Sequence, residues 1–386
     1  MEALRPVPLR SGLTLYLLGE ESVLFSKRSL QLYGLERIAT LALLRLEEGE
    51  EPAAVSRDLG LEAASCQMVS RLSALLAGEE PSGDEYENHL PCPLKLPDHR
   101  PGLPLCRLLD TTFAVEGPEE LLREWITPFV AHLRTGQVDN GTGTHLDLLI
   151  SIEVEGSAWR LLLNGAPQGD ARSTDRLLPL LFGRLRSFAY QRRPYLLAIH
   201  GAVVSTGGCT LLLAGQSGSG KSTLAAILLA RGYELVSDEP AVIDQSGARI
   251  LPMPLGLGLK AGSWPVVLAD YPELERWQTH FRFDGQPIRY LRPERSGATS
   301  ESEGYRATHL VFPTYGPGAP ARIEPLGPVQ RLRAIARAGY QVPALDEQRV
   351  EQILGWLGSL ASFSLAYSST SEALALLQSV PSAKAG

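Results

Sequence analysis

The run Gly215-Gln216-Ser217-Gly218-Ser219-Gly220-Lys221-Ser222 restricts what this chain can fold into more than any other segment. It fits G-x-x-x-x-G-K-[ST], in which glycines let the backbone turn so tightly that successive N–H groups face one anion. The flanks agree. "TLLLAG" before the loop reads as an apolar strand, and "STLAAILLARG" after it reads as a helix that Gly232 can end. A helix opening at Lys221, Ser222 and Thr223 adds the positive end of its dipole to the cradle. In such a cradle Lys221 reaches the terminal phosphates of a nucleotide, and the Ser222 hydroxyl binds Mg2+.

The segments on either side converge on the loop. Gly207-Gly208 between two apolar runs signals a two-residue hairpin turn. That turn pairs Thr206 with Cys209, Val204 with Leu211, Ala202 with Leu213 and His200 with Gly215, so an imidazole is expected beside bound phosphate. Downstream, Tyr233 to Ser237 is expected as a strand parallel to the one entering the loop. It delivers Asp238, with Glu239 next to it, at the carboxyl end of the sheet, where open α/β sheets put their chemistry. Asp238 can accept a proton from an attacking hydroxyl or hold Mg2+, and spacing leaves both roles open. Glu239 is the weaker metal candidate, because successive strand residues point to opposite faces.

The 386 residues suit two or three domains, and 44% hydrophobic content supplies a core. Nucleic-acid and membrane partners are not expected: the net charge is -7, and no stretch reaches 18 uninterrupted apolar residues. The cysteines Cys66, Cys92, Cys106 and Cys209 show no CxxC spacing, which points to a reducing cytoplasm. Residues 1–88 hold 15 acidic against 8 basic residues. "LTLYLL" and "SVLFS" suggest a hairpin, followed by three helices, the first with Leu35, Ile38, Ala42 and Leu46 at helical spacing. That order resembles a winged helix, though its acidity opposes DNA binding. A linker is expected at 89–105. Residues 106–195 read as antiparallel strands and a helix starting at Ser173-Thr174, and 196–386 as the loop-bearing domain. LSGGQ-type and NKxD-type segments are lacking, which disfavours transporter ATPases and GTPases.

"AIHGAVV" and "LLAGQSGSGKSTLAAILLARGYELVSDEP" together resemble the core of HPr kinase/phosphorylase, in which a His-Gly strand, a phosphate loop and a VxD[DE] strand end follow in this order. "THLVFPTYGPGAPARIEPLGP" is similar to HPr-kinase-related proteins of modified-peptide biosynthesis. The resemblance implies an α/β fold with a P-loop kinase core, ATP and Mg2+ as cofactors, and His200, Lys221 and Asp238 as active-site residues. In it Asp238 is the proton acceptor, Ser222 a magnesium ligand, and a homo-oligomer the assembly. One departure concerns the second metal ligand: the family's "E-[IV]-R-G" glutamate has no counterpart between Asp244 and Asp270, where Lys260 is either a phosphate contact or a surface lysine. Residues 1–88 resemble PqqD-like peptide chaperones, which hold a leader peptide as an added strand. The expectation is a kinase for a Ser or Thr of a precursor peptide. A small-molecule kinase and a nucleotide-gated regulatory ATPase are the alternatives.

Overall fold

A computed structural model describes residues 6–61, 63–79, 100–139, 145–156, 158–292 and 304–380. Most of the expected linker, 89–105, and Cys92 lie outside the described residues, and Pro104–Leu108 is already a strand. Helices and several mixed sheets give an α/β architecture. Among the described residues no helix is long and apolar enough to cross a membrane.

The glycine loop sits at the end of a six-stranded sheet, ordered Glu234–Asp238, Gly201–Thr206, Cys209–Ala214, His309–Tyr315, Ala361–Tyr367 and Arg322–Pro325. Cys209–Ala214 and His309–Tyr315 are parallel neighbours, and their inner residues are buried on both faces, so they read as continuous apolar runs. Gly207 and Gly208, at φ of +50° and +88°, make the hairpin turn with the register that the spacing predicts. The ladder nevertheless stops at Gly201 opposite Ala214, and the expected pairing of His200 with Gly215 does not form. At His200 the chain changes sheets. Tyr195–Ile199 pairs with Ala241–Asp244 and Tyr340–Gln341, and the His200 N–H donates to the Gly339 carbonyl at 2.9 Å. Gly201 permits the crossing, since a Cβ there would lie 2.7 Å from the Leu213 carbonyl oxygen.

Helix Lys221–Leu229 follows the loop and is nearly enclosed: Leu224, Ala225, Ala226, Ile227 and Leu228 are buried against Leu257, Val267, Leu365 and Ala373. Each leucine buried there contributes roughly 1.5–3 kcal/mol, which fixes the helix end that carries the loop. Strand Glu234–Asp238 runs in the same direction as Cys209–Ala214, but Gly201–Thr206 lies between them, antiparallel to both.

Residues 104–171 form a second six-stranded sheet. It is mixed, not purely antiparallel, because Thr111–Glu116 and Leu148–Glu155 are parallel. Helix Leu177–Gln191 covers it, burying Leu177, Leu178, Leu181, Phe182, Leu185 and Phe188. Ser173 makes no capping bond; a short 3-10 turn at Thr174–Arg176 intervenes and puts Arg176 at the cap position. The same core takes in Val242, Met253, Leu255, Ile288 and Tyr290, which packs this layer onto the loop-bearing half.

The first module is a four-stranded antiparallel sheet, Pro6–Pro8, Leu13–Leu18, Glu21–Ser26 and Gln31–Leu35, followed by helices Arg37–Glu47, Pro52–Asp58 and Ala63–Leu76. Ile38 is 51% exposed, against expectation, because the buried face runs through Ala39, Ala42, Leu43 and Leu46, one position round the helix. Strand alternation serves two cores. Leu13, Leu15 and Leu24 pack on the module's own helices, while Tyr16, Val23 and Phe25 join Leu332, Ile335, Val350 and Leu354 of helices Pro328–Ala338 and Glu347–Ser359. The module is thus welded to the loop-bearing half through apolar contact.

Candidate active site

The loop is held by its glycines and by two tyrosines. Gly220 has φ +98°, and a Cβ there would collide with the Tyr367 hydroxyl and lie 3.3 Å from the Tyr315 Cβ. Only glycine fits both the backbone angle and the space. Gln216, Ser217 and Gly218 are exposed at the tip, while Gly215, Ser219, Ser222 and Thr223 are half-buried. Lys221, 4% exposed, folds back so that its Nζ donates to the Gly215 and Gln216 carbonyls at 2.7 and 3.0 Å. Burial draws its pKa down, and the charges of Glu239 and Asp238 oppose that.

Asp238 ends its strand opposite Ala202 and is 6% exposed. Its Oδ2 accepts from the Gly258 N–H at 2.8 Å, and its Oδ1 is buried with no partner among the described residues. Burial first, then the Glu239 carboxylate, push the carboxyl up to about 7, while Arg186, the Gly258 N–H and Lys221 pull it back. Glu239 lies beyond the ladder at φ +39°, so it escapes strand alternation and lines the same cleft as Asp238. Its Oε1 is 3.2 Å from His200 Nε2. Burial lowers the His200 pKa, and the positive charges of Lys221, Lys260 and Arg282 add to that against Glu239. His200, Ser222, Lys221, Asp238 and Glu239 therefore meet in one place, with His200 arriving through Glu239 and not through the hairpin ladder.

Ser222, Asp238 and Glu239 line a cleft of about 520 Å³ between the loop helix, helix Leu177–Gln191 and the hairpin spanning His280–Phe281 and Pro287–Leu291. Arg186 and Tyr290 of its walls escaped the sequence reading, which leaves Lys260 open between a phosphate contact and a surface lysine. Arg186 donates to the Glu239 and Gly256 carbonyls, both at 3.2 Å, and its Nε is buried without a partner among the described residues. Lys260 reaches the loop itself, where its Nζ donates to the Ser217 hydroxyl. Tyr290 is buried in the cleft wall. Lys260 had a signal, since lysine occurs only five times in the chain. Arg186 had a weaker one, a charge placed between the core residues Leu185 and Phe188.

Magnesium keeps several waters and takes phosphate oxygens, so it needs only one or two protein ligands. Among the described residues no cluster of three metal-binding side chains occurs. Ser222 and the unpartnered Asp238 Oδ1 nevertheless provide the oxygens that a nucleotide-bound magnesium requires, and the loop offers the phosphate cradle. The residues present fit both groups. Glu239, turned toward His200, is the less suited of the two neighbouring carboxylates.

Comparison with known proteins finds short similarities. The HPr kinase/phosphorylase of an Exiguobacterium species is 44% identical over 54 residues, 14% of this chain and 17% of that protein. Those of Chlorobium phaeobacteroides and Prosthecochloris aestuarii are each 42% identical over 52 residues, 14% of this chain and 15% of theirs. The chain thus spans about a sixth of the length of the curated relatives it matches, and no family model matches it. Over that stretch the similarity supports a kinase-family relationship.

Proposed function

We propose that this protein is an ATP-dependent phosphotransferase that moves a γ-phosphoryl group onto an alcohol hydroxyl. The observation that carries the reading is Asp238: a buried carboxyl beside a glycine loop, one oxygen fixed by Gly258 and the other unpartnered among the described residues. The acceptor oxygen bonds to the γ-phosphorus as the bond from that phosphorus to the β–γ bridging oxygen breaks. ADP leaves with the electron pair, and the hydroxyl proton passes to Asp238. Lys221 steadies the charge on the phosphates, and Ser222 would hold magnesium, which neutralises phosphate charge when bound. His200 orients Glu239 at the rim.

The finer reading is that the hydroxyl belongs to a Ser or Thr of a precursor peptide. Its leader would add as a strand to the first module, whose strand Gln31–Leu35 pairs, among the described residues, on one side only, with Glu21–Ser26. The opposite edge, Pro6–Pro8, is blunted by two prolines. A small-molecule acceptor is the competing reading, favoured by the size of the cleft. The test is incubation with γ-labelled ATP, a leader-containing peptide with Ser or Thr, and small alcohols. Label on the peptide supports the finer reading, and label on an alcohol supports the second. Phosphate release without any labelled acceptor overturns transfer and leaves a nucleotide-gated ATPase.

A further inference from the structure

The cleft extends past Asp238 along helix Leu177–Gln191, and there its wall is basic. Arg176, Leu180 and Arg184 recur at four-residue spacing and line the cleft, so they lie along one face. Gly183 and Ser187 sit beside them, and the missing side chain of Gly183 leaves open space. Arg176 makes no ion pair among the described residues; Arg184 spends only its Nε, on the Gln168 carbonyl at 3.1 Å. Opposite, the turn between His280–Phe281 and Pro287–Leu291 brings Arg282 and Phe283 to the cleft, and Phe283 is 90% exposed. Of the acids nearby, Asp170 pairs with Arg160 at 3.2 Å, Glu239 with His200 and Asp284 with Arg282 at a loose 3.7 Å, while Asp238 is buried at the reaction centre.

An uncharged acceptor would offer no counter-charge to Arg176 and Arg184, which have none among the described residues. An acceptor with its own negative charge would answer them, and its apolar part would lie against Phe283. Phosphate is not the explanation for this wall, because the nucleotide's phosphates belong to the loop on the other side of Asp238. We propose that the outer cleft is an acceptor subsite for an anionic group, so that the hydroxyl to be phosphorylated sits beside a carboxylate or phosphate on the same molecule. This rests on the phosphotransferase reading and narrows its substrate class. In the peptide arm the anion is an Asp or Glu side chain near the Ser or Thr; in the small-molecule arm it is the substrate's own acid.

The test offers the full-length protein labelled ATP with matched probes: Ser-centred peptides with acidic, neutral or basic flanks, and the pairs glycerate with glycerol and glycerol 3-phosphate with glycerol. Acidic members are expected to be preferred in one arm, which identifies the source of the anion. In that arm, Arg184→Ala and Arg176→Ala are each expected to raise the acceptor KM roughly 10-fold, the size of one lost charge-assisted contact, with the KM for ATP little changed. Equal use of neutral or basic probes overturns the subsite, as does label on no probe while a fluorescent ATP analogue still binds. Failure to bind that analogue is a different result, and it overturns the phosphotransferase reading underneath.

Discussion

On one side of Asp238 the loop Gly215–Ser222 presents mostly backbone, shaped by positive-φ glycines and backed by Tyr315 and Tyr367, and brings Ser222 to the cleft. On the other, helix Leu177–Gln191 and the Phe283 turn present side chains, chiefly Arg176, Arg184, Arg186 and Arg282, on a scaffold of ordinary helix and hairpin. The two walls meet at Asp238. The backbone wall suits a ligand common to many proteins, since N–H groups and a helix dipole recognise any phosphate. The side-chain wall suits a particular ligand, because charges such as Arg176 and Arg184 can be changed by substitution with little effect on the fold. The difference separates what is chemically general at the site from what sets specificity.

The largest expected effect lies on the backbone wall. Lys221→Ala removes the ammonium that ties Gly215 and Gln216 together and that, on the proposed reading, serves the phosphates. Transfer is expected to fall roughly 100- to 1000-fold, the range for deleting one preorganised donor from a charged transition state. Circular dichroism checks that the variant folds. Unchanged turnover in the folded variant would break the assignment of this wall to the nucleotide.

At the junction, Asp238→Asn separates basicity from shape. Transfer is expected to fall about 100-fold or more while ATP binding persists. Stability should move the other way. The folded carboxyl titrates near 7 against an ordinary value of 3.8, so the folded state keeps a proton that the unfolded chain has released. That contribution is complete below about 4 and is lost as the pH rises through about 7. Wild type should therefore melt at progressively lower temperature across this window. Asp238→Asn should be flat over it and melt higher than wild type at pH 8. If ATP affinity collapses together with magnesium dependence, Asp238 is chiefly a metal ligand.

The same contrast explains what the sequence could show. The hairpin register at Gly207-Gly208, the helix after Lys221 and the strand reaching Asp238 follow from local rules of turn chemistry and apolar periodicity, and each forms. His200 was carried along the ladder by the same rule, which failed because a partner at Gly339, far along the chain, draws the backbone into another sheet. Strand Ala361–Tyr367 went unread: it lies between two helices, and its neighbours His309–Tyr315 and Arg322–Pro325, both distant in sequence, make it a strand. The arginines of the facing wall, Arg186 apart, carry no signal in the sequence, because nothing local reveals that the Phe283 turn stands opposite helix Leu177–Gln191. Backbone sites are legible in short motifs, whereas a wall assembled from distant side chains becomes legible only once the topology is known.

The smallest effect expected tests whether the side-chain wall also tunes the junction. Arg186 spans the Glu239 and Gly256 carbonyls and is the leading cation holding the Asp238 carboxyl down against burial. Arg186→Met removes that charge, so the acid limb of kcat/KM should move to higher pH by roughly one unit. Near pH 7 the variant would then lose roughly 5- to 10-fold in kcat/KM, because more of Asp238 is protonated, and it should recover most of that at pH 9. Arg186→Lys keeps the charge but cannot reproduce the planar fork across two carbonyls, so its limb should return toward wild type even if its melting temperature falls. A purely structural role predicts something else: an equal loss at every pH in both variants, following the drop in melting temperature. That pattern would confine Arg186 to holding the backbone and would leave the tuning of Asp238 to burial, Glu239, Gly258 and Lys221.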